Sequence, residues 1–341
     1  MKTETMAVRD CACVCPACHA GLAAGDDCLV CFSCDRTYRD VAGMPDLRLG
    51  SDRYLSLEAE RAKAERLHAI GADTDLRGAA EAYYAMTDDV VDARRDRFLR
   101  HIGMAEFRGE ALYSLLPQKG RILEVGCGTG GLLVPALRGG RSIVGVDIAS
   151  RWLVVARRRL RDHGLDTELV AASAETLPWP DASFDVIVAD SLLEHVDNPI
   201  LALREWRRVL KPGGSLIVWS PNRRTLTVDP HVGLWGIGWL PRSLVPGYLR
   251  LRGKDVWPPH TLSAREAGGL ARAAGLDAVR VGPATIPDDW SRRLPKRLSQ
   301  ACRVYSTMRA NVLTRGLLQE IGPLWELRAA KSRPGLEGDS E

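Results

Sequence analysis

The sequence lacks several features that would settle its class at once. Its first ten residues, MKTETMAVRD, contain no apolar run of the kind a secretion signal needs, and no later stretch is apolar for long enough to cross a bilayer. No segment repeats and none is of low complexity. Neither sign of charge dominates, and a formal net charge of +4 is too slight to argue for nucleic acid by itself. These absences argue against a membrane-spanning chain and a repeat array, and leave a cytoplasmic globular protein as the expectation. The composition agrees, with 45% apolar and 26% charged residues among 341, a length that holds one ordinary core plus one or two smaller pieces.

What is present is unevenly placed. Seven of the nine cysteines lie between Cys11 and Cys34, which without a secretion signal argues for metal rather than disulfides. Cys15-Pro-Ala-Cys18 and Cys31-Phe-Ser-Cys34 form two C-x-x-C knuckles separated by twelve residues, and four thiolates complete the tetrahedron that zinc accepts. Cys28 with Cys31 offers an alternative register, and Cys11, Cys13 and His19 are further candidates. A closed four-sulfur site leaves no position for water or substrate, so its expected role is to hold residues 1–50, a segment too small to fold on a core of its own.

The stretch Arg121 to Gly131, RILEVGCGTGG, reads as a strand, a tight turn and the start of a helix. Gly126, Gly128 and Gly130 permit backbone conformations that side chains would block, and let a ligand approach the main chain. Dinucleotide enzymes place a glycine-rich turn in the same position, but two acids point elsewhere. Asp147 closes the next apolar strand, SIVGVDIA, where a carboxylate can accept from ribose hydroxyls. Glu124, two residues before the first glycine, puts a carboxylate near a ligand bearing an amino group or a sulfonium charge.

EVGCGTG followed by VGVD resembles the S-adenosylmethionine (SAM) site of class I methyltransferases, and the resemblance continues through Lys331. It implies a Rossmann-like α/β sheet of seven strands, the last inserted antiparallel, with SAM held by Glu124, Gly126, Cys127, Gly128, Gly130, Asp147 and Ile148. Strands are expected at Thr167 to Ala172 and Phe184 to Ala189, with a crossover helix from Trp152 to Arg161. After the third strand the family usually carries an acid that bonds the adenine amine; Ser173 stands in that place here, followed by Ala174 and Glu175 as adenine neighbours. Asp190-Ser191 and the phrase SLLEHVDNP resemble the post-strand motif that faces the methionine part of the cofactor. His195 in that phrase is a candidate base that the family pattern uses more often to hold the loop. Asn198 caps a helix from Pro199 to Leu210, and KPGG then reads as a turn before a strand from Ser215 to Trp219. Helix Ser263 to Ala274 and strands Asp277 to Thr285 and Leu324 to Lys331 complete the pattern. The cysteine segment, continued by YRDVAGMPDLR, resembles a small zinc ribbon found beside some methyltransferases.

The expected organisation is therefore a zinc-ribbon-like module over 1–50, a helical segment over 51–117, a methyltransferase domain over 118–333 and a tail over 334–341. In the helical segment, Leu57 to Ile70 and Asp89 to Leu116 are expected as helices packing across the top of the sheet, with Tyr83 and Tyr84 between them. Substrate choice should lie in two insertions, 222–260 and 287–322. The first holds Trp235, Trp239 and Trp257, and suits a lid over an acceptor pocket, a shallow lipid contact or a hydrophobic flap. His231 and His260 flank it as candidate bases for an acceptor hydroxyl or amine. The second reads as a basic amphipathic helix pair. The expected activity is methyl transfer to O or N of a small or lipid-like acceptor. The alternatives are an RNA methyltransferase that grips its substrate with the ribbon, a non-catalytic partner that keeps the fold, and, weakest, a nicotinamide oxidoreductase.

Overall fold

The computed structural model describes residues 12–52, 55–71, 74–87, 92–254 and 260–333. Cys11, Trp257 and the tail 334–341 lie outside the described residues. The chain divides into two compact units, Met1–Asp185 and Val186–Glu341. No helix among the described residues is long and apolar enough to cross a membrane.

The first unit opens with a small antiparallel sheet in which β1 (Ala23–Ala24), β2 (Cys28–Cys31), β3 (Arg36–Val41) and β4 (Met44–Pro45) follow in order. Between β3 and β4, Ala42 and Gly43 both have left-handed backbones, with φ of 54° and 75°, the two-residue turn whose twist suits a hairpin. Next come α1 (Leu57–Gly71), α2 (Leu76–Ala85) and α3 (Asp92–Tyr113), then β5 (Arg121–Val125), α4 (Leu133–Arg138), β6 (Ser142–Asp147), α5 (Ser150–Asp162) and β7 (Leu169–Ala171). β8 (Phe184–Asp190) begins at the end of this unit. β5, β6 and β7 pair in parallel. Their interiors are nearly continuous runs of buried Ile, Leu and Val, as a sheet covered on both faces requires.

The second unit contains α6 (Pro199–Val209), β9 (Leu210–Pro221), α7 (Val245–Leu251), α8 (Ala264–Ala273), β10 (Asp277–Pro283), α9 (Asp288–Arg292), α10 (Lys296–Ala310), α11 (Val312–Ile321) and β11 (Leu324–Ala330). β11 lies between β10 and β9 and runs antiparallel to both. The seven-stranded order is β10-β11-β9-β8-β5-β6-β7, so the expected antiparallel insertion is present.

Tyr83 and Tyr84 lie between the two expected helices, in a further one: they are buried in the last turns of α2, where Tyr83 packs on Trp152 with ring centroids 4.3 Å apart. Two expectations need correction. KPGG does not separate helix from strand, because β9 starts at Leu210 and Gly213, at φ 81°, bends within it while its N–H donates to Lys331. The helical segment packs mainly on the crossover helices rather than across the sheet: α1 and α2 lie against α5, and α3 against α4.

The crossing of α3 over the glycine turn depends on two glycines. A Cβ on Gly109 would run into the carbonyl of Gly131, and one on Gly131 would sit 2.5 Å from the carbonyl oxygen of Ala105. Neither obstacle can move without shifting main chain. Gly109→Ala is therefore expected to destabilise the protein by about 1–3 kcal/mol in urea unfolding. Gly103→Ala, on the same helix but facing open space, is expected to be neutral or stabilising by about 0.5–1 kcal/mol. Equal effects from the two would contradict the close approach.

Candidate active site and cysteine cluster

The carboxyl ends of β5 and β6 build one half-site. Gly126 and Cys127 both donate their N–H to the carbonyl of Val146, at 2.8 and 3.0 Å, which turns the chain sharply off β5. Gly126, Gly128 and Gly130 all have positive φ, at 74°, 49° and 75°. A Cβ added at Gly128 would have nothing within 4 Å, so the space beside this residue is open. Asp147 spans the turn: Oδ2 accepts from Gly128 N at 2.8 Å and Oδ1 from Ala149 N at 2.8 Å. Burial pushes its carboxyl up from the ordinary value, and the two N–H donors pull against that shift. Each oxygen keeps a further lone pair, which suits a vicinal diol. Glu124 is buried at 5% exposure, one residue from the end of β5. The thiol of Cys127 packs inward beside Gly145, so the backbone is what this residue offers a ligand. Ile148 is half-buried beside Asp147.

After β7, Ser173 closes a local turn. Its Oγ accepts from Glu175 N at 3.1 Å and its carbonyl accepts from Thr176 N at 3.2 Å, a local turn that leaves Ala174 and Glu175 half-buried.

In the second unit, Ser191 stands directly after β8 with φ 53°, its N–H held by the Trp219 carbonyl at 2.8 Å and its Oγ donating to Asp190 Oδ1 at 3.0 Å. A left-handed serine costs about 1–2 kcal/mol, and such strain gathers at functional turns. Three residues on, Glu194 is wholly buried. Its Oε2 accepts from Ser220 Oγ at 2.9 Å, and its Oε1 lies 3.7 Å from His231 Nε2. His231 Nδ1 is in turn 3.6 Å from Asp229 Oδ1, and Asp229 also accepts the backbone N–H groups of His231 and Val232. One imidazole therefore stands between two carboxylates. The His195 ring lies edge-on to it, centroids 5.0 Å apart. Of the three candidate histidines, the structure thus brings His195 and His231 together, while His260 is exposed and its backbone N–H donates to the Glu194 carbonyl, at 2.8 Å. Glu194 and Asp229 did not stand out in the sequence. The signal for the first was its place beside His195, and for the second its two-residue spacing from His231.

Burial pushes the Glu194 carboxyl from an ordinary 4.5 up to about 7, against the pull of His231 and Ser220. An acid whose folded pKa is raised contributes stability in full below its unfolded pKa and loses it as pH rises through the folded one. The wild type should therefore lose stability between about pH 4.5 and 7, by an amount on the order of 2–4 kcal/mol. Glu194→Gln should flatten that part of the curve. An unchanged slope in the variant would contradict the assignment.

The amino-terminal module gathers four sulfurs. Cys15 and Cys34 Sγ are 3.6 Å apart, Cys18 and Cys31 Sγ 3.5 Å, and all four lie within 4.8 Å of one another. Cys13, Cys28 and His19 are not in this group. The buried Tyr38 hydroxyl lies 3.1 Å from Cys15 Sγ, a supporting contact that residue spacing did not reveal.

These features define a methyltransferase class, and comparison with known proteins agrees. A family described as a methyltransferase domain matches residues 123–218. A ubiquinone biosynthesis O-methyltransferase of Cereibacter sphaeroides is 34% identical over 197 residues, 57% of this chain and 75% of the relative. A protein of the same description from Roseobacter denitrificans is 35% identical over 185 residues, 53% and 70% of the two chains. Among solved structures, a SAM-dependent methyltransferase of Thermotoga maritima overlays with a TM-score of 0.44 at 26% identity, over 70% of this chain and 96% of that one. The chain belongs to the class I SAM-dependent methyltransferases.

Proposed function

We propose that this chain transfers the methyl group of SAM to a hydroxyl oxygen of a small, lipid-like acceptor in the cytoplasm, and that Cys15, Cys18, Cys31 and Cys34 hold a structural zinc ion. The observation that carries the oxygen assignment is His231 between Glu194 and Asp229. An amine acceptor needs only to arrive unprotonated, whereas a hydroxyl must lose its proton, and an imidazole paired with carboxylates can take it. The relatives named as O-methyltransferases support the same reading.

SAM supplies a methyl group already activated on a sulfonium. The chain's own part is to bind, orient and exclude water. Asp147 is suited to the ribose hydroxyls, the turn at Gly126 to Gly130 to close approach of the ligand, and Glu124 to the positively charged end. Asp190 and Ser191 are placed after β8, where open parallel sheets receive ligands. His231 takes the acceptor proton at one ring nitrogen, and the carboxylate beside the other steadies the imidazolium. His195 stands edge-on beside this imidazole.

The first insertion supports an apolar acceptor. Val232, Leu234, Ile237 and Leu249 form a small core of its own. Trp235 and Trp239 nevertheless remain 64% and 50% exposed. Their indole N–H groups are tied to the carbonyls of Leu226 and Thr225, at 2.9 and 3.4 Å, leaving the ring faces as apolar surface. The cysteine geometry suits zinc, since a tetrahedron with Zn–S near 2.3 Å has sulfurs about 3.8 Å apart.

The test is label transfer from methyl-tritiated SAM into separated lipid, small-molecule, protein and RNA fractions of the host extract, with metal content measured on the same preparation. Label in a lipid or small-molecule fraction, indifferent to added salt, is the expected result. Label in RNA that collapses with salt would replace this reading with RNA methylation.

A further inference from the structure

The segment that leaves the cysteine module does not run free into α1. Asp46 N donates to the Arg39 carbonyl on β3 at 2.9 Å, and Asp46 also bridges in parallel to Ala171 at the end of β7. Leu47 N then donates to the Ala171 carbonyl at 2.8 Å. The exit of the small sheet is therefore an added edge on the strand beside β6. Elsewhere the module is held by Val14 N, which donates to the Pro178 carbonyl at 2.9 Å.

Arg48, only 4% exposed, carries the connection further. Its Nε and Nη2 bond the two oxygens of Asp46 at 2.7 and 2.8 Å, and Arg61 on α1 adds a second guanidinium at 2.6 Å. Burial raises the Asp46 carboxyl, but the two guanidiniums outweigh it and hold it below the ordinary range, so the pair stays charged. The remaining donor, Nη1, reaches the carbonyl of Ile148 at 3.0 Å. Ile148 lies between Asp147, which grips the Gly128 N–H, and Ala149, whose N–H the same carboxylate holds. The Asp147 carbonyl accepts from Ala172 N at 3.0 Å, one residue beyond the strand to which the module adds itself. A buried, bidentate arginine cannot swing away from such a carbonyl without leaving a charge unpaired.

We propose that the cysteine module is a clamp, built into the same chain, on the adenosine end of the cofactor half-site: through Arg48 it fixes the loop Asp147–Ala149, so that affinity for SAM depends on the module being intact. This rests on the reading of that half-site as the SAM site and deepens it. Arg48 is a positioning residue, since it acts on the ligand through the loop. A loop already ordered before binding pays less to bind, and releasing it shows as weaker affinity rather than slower chemistry.

The test titrates S-adenosylhomocysteine into the full chain as wild type, Arg48→Lys and Cys31→Ser, with unfolding midpoint and zinc content recorded for each. Arg48→Lys keeps a cation for Asp46 but loses the fork that also reaches Ile148. Cys31→Ser loosens the module from its far end. Both variants are expected to bind about tenfold more weakly. For Arg48→Lys, KM for SAM should rise by a similar factor while kcat at saturating SAM stays within about twofold. Wild-type affinity in both folded variants, or a fall in kcat with KM unchanged, would overturn the clamp. A wild type that binds no S-adenosylhomocysteine would instead overturn the reading of the half-site itself.

Discussion

Gly128→Leu is expected to remove cofactor binding while leaving the fold standing. The Cβ position of Gly128 meets nothing within 4 Å, so an added side chain starts into open space rather than into the protein. A non-glycine residue at φ 49° costs about 1–2 kcal/mol of stability. The ligand, by contrast, loses its close approach to the turn. Affinity for S-adenosylhomocysteine should fall at least about 100-fold, or more than ~2.7 kcal/mol. Calorimetric titration beside thermal unfolding separates the two effects. Unchanged affinity in a folded variant would show that the space beside Gly128 is not the cofactor's.

The second large effect concerns the proton. His231→Ala should lower kcat toward a hydroxyl acceptor by about 10²–10⁴, the usual contribution of a positioned base, with affinity for S-adenosylhomocysteine unchanged. Glu194→Gln should act in the same direction but more weakly, on the order of tenfold, because it leaves the imidazole in place and removes only its buried carboxylate. Raising the acceptor's acidity with an electron-withdrawing substituent should narrow the gap between His231→Ala and wild type. A variant as fast as wild type would leave the oxygen assignment without its base.

What could be read beforehand divides along physical lines. β5, its glycine turn and Asp147 were legible because strand, turn and acid are adjacent in sequence and each has a local reason. The four cysteines were legible from their spacing, and the pairing of Cys31 with Cys34, rather than with Cys28, came from the resemblance of Tyr38 to Arg48 to a zinc ribbon. The antiparallel β11 came from resemblance, since nothing local in Leu324 to Ala330 states its direction. The pairing of His231 with Glu194 was not legible: it joins residues far apart in sequence, and each alone reads as an ordinary polar residue. Arg48 was hidden likewise, because its fork to Asp46 is local but its third donor meets Ile148, a hundred positions later. Before β5, α1 and α3 were found and α2 was not, and where these helices pack was not legible, since their apolar stripes name no partner.

The most direct measurement is a titration of S-adenosylhomocysteine into the purified full chain, with NAD titrated in parallel. Saturable one-to-one binding of S-adenosylhomocysteine, lost in Gly128→Leu and absent for NAD, is the expected result. A folded wild type that binds NAD, or binds neither, would contradict the assignment of the turn between β5 and Asp147 to a methyl donor.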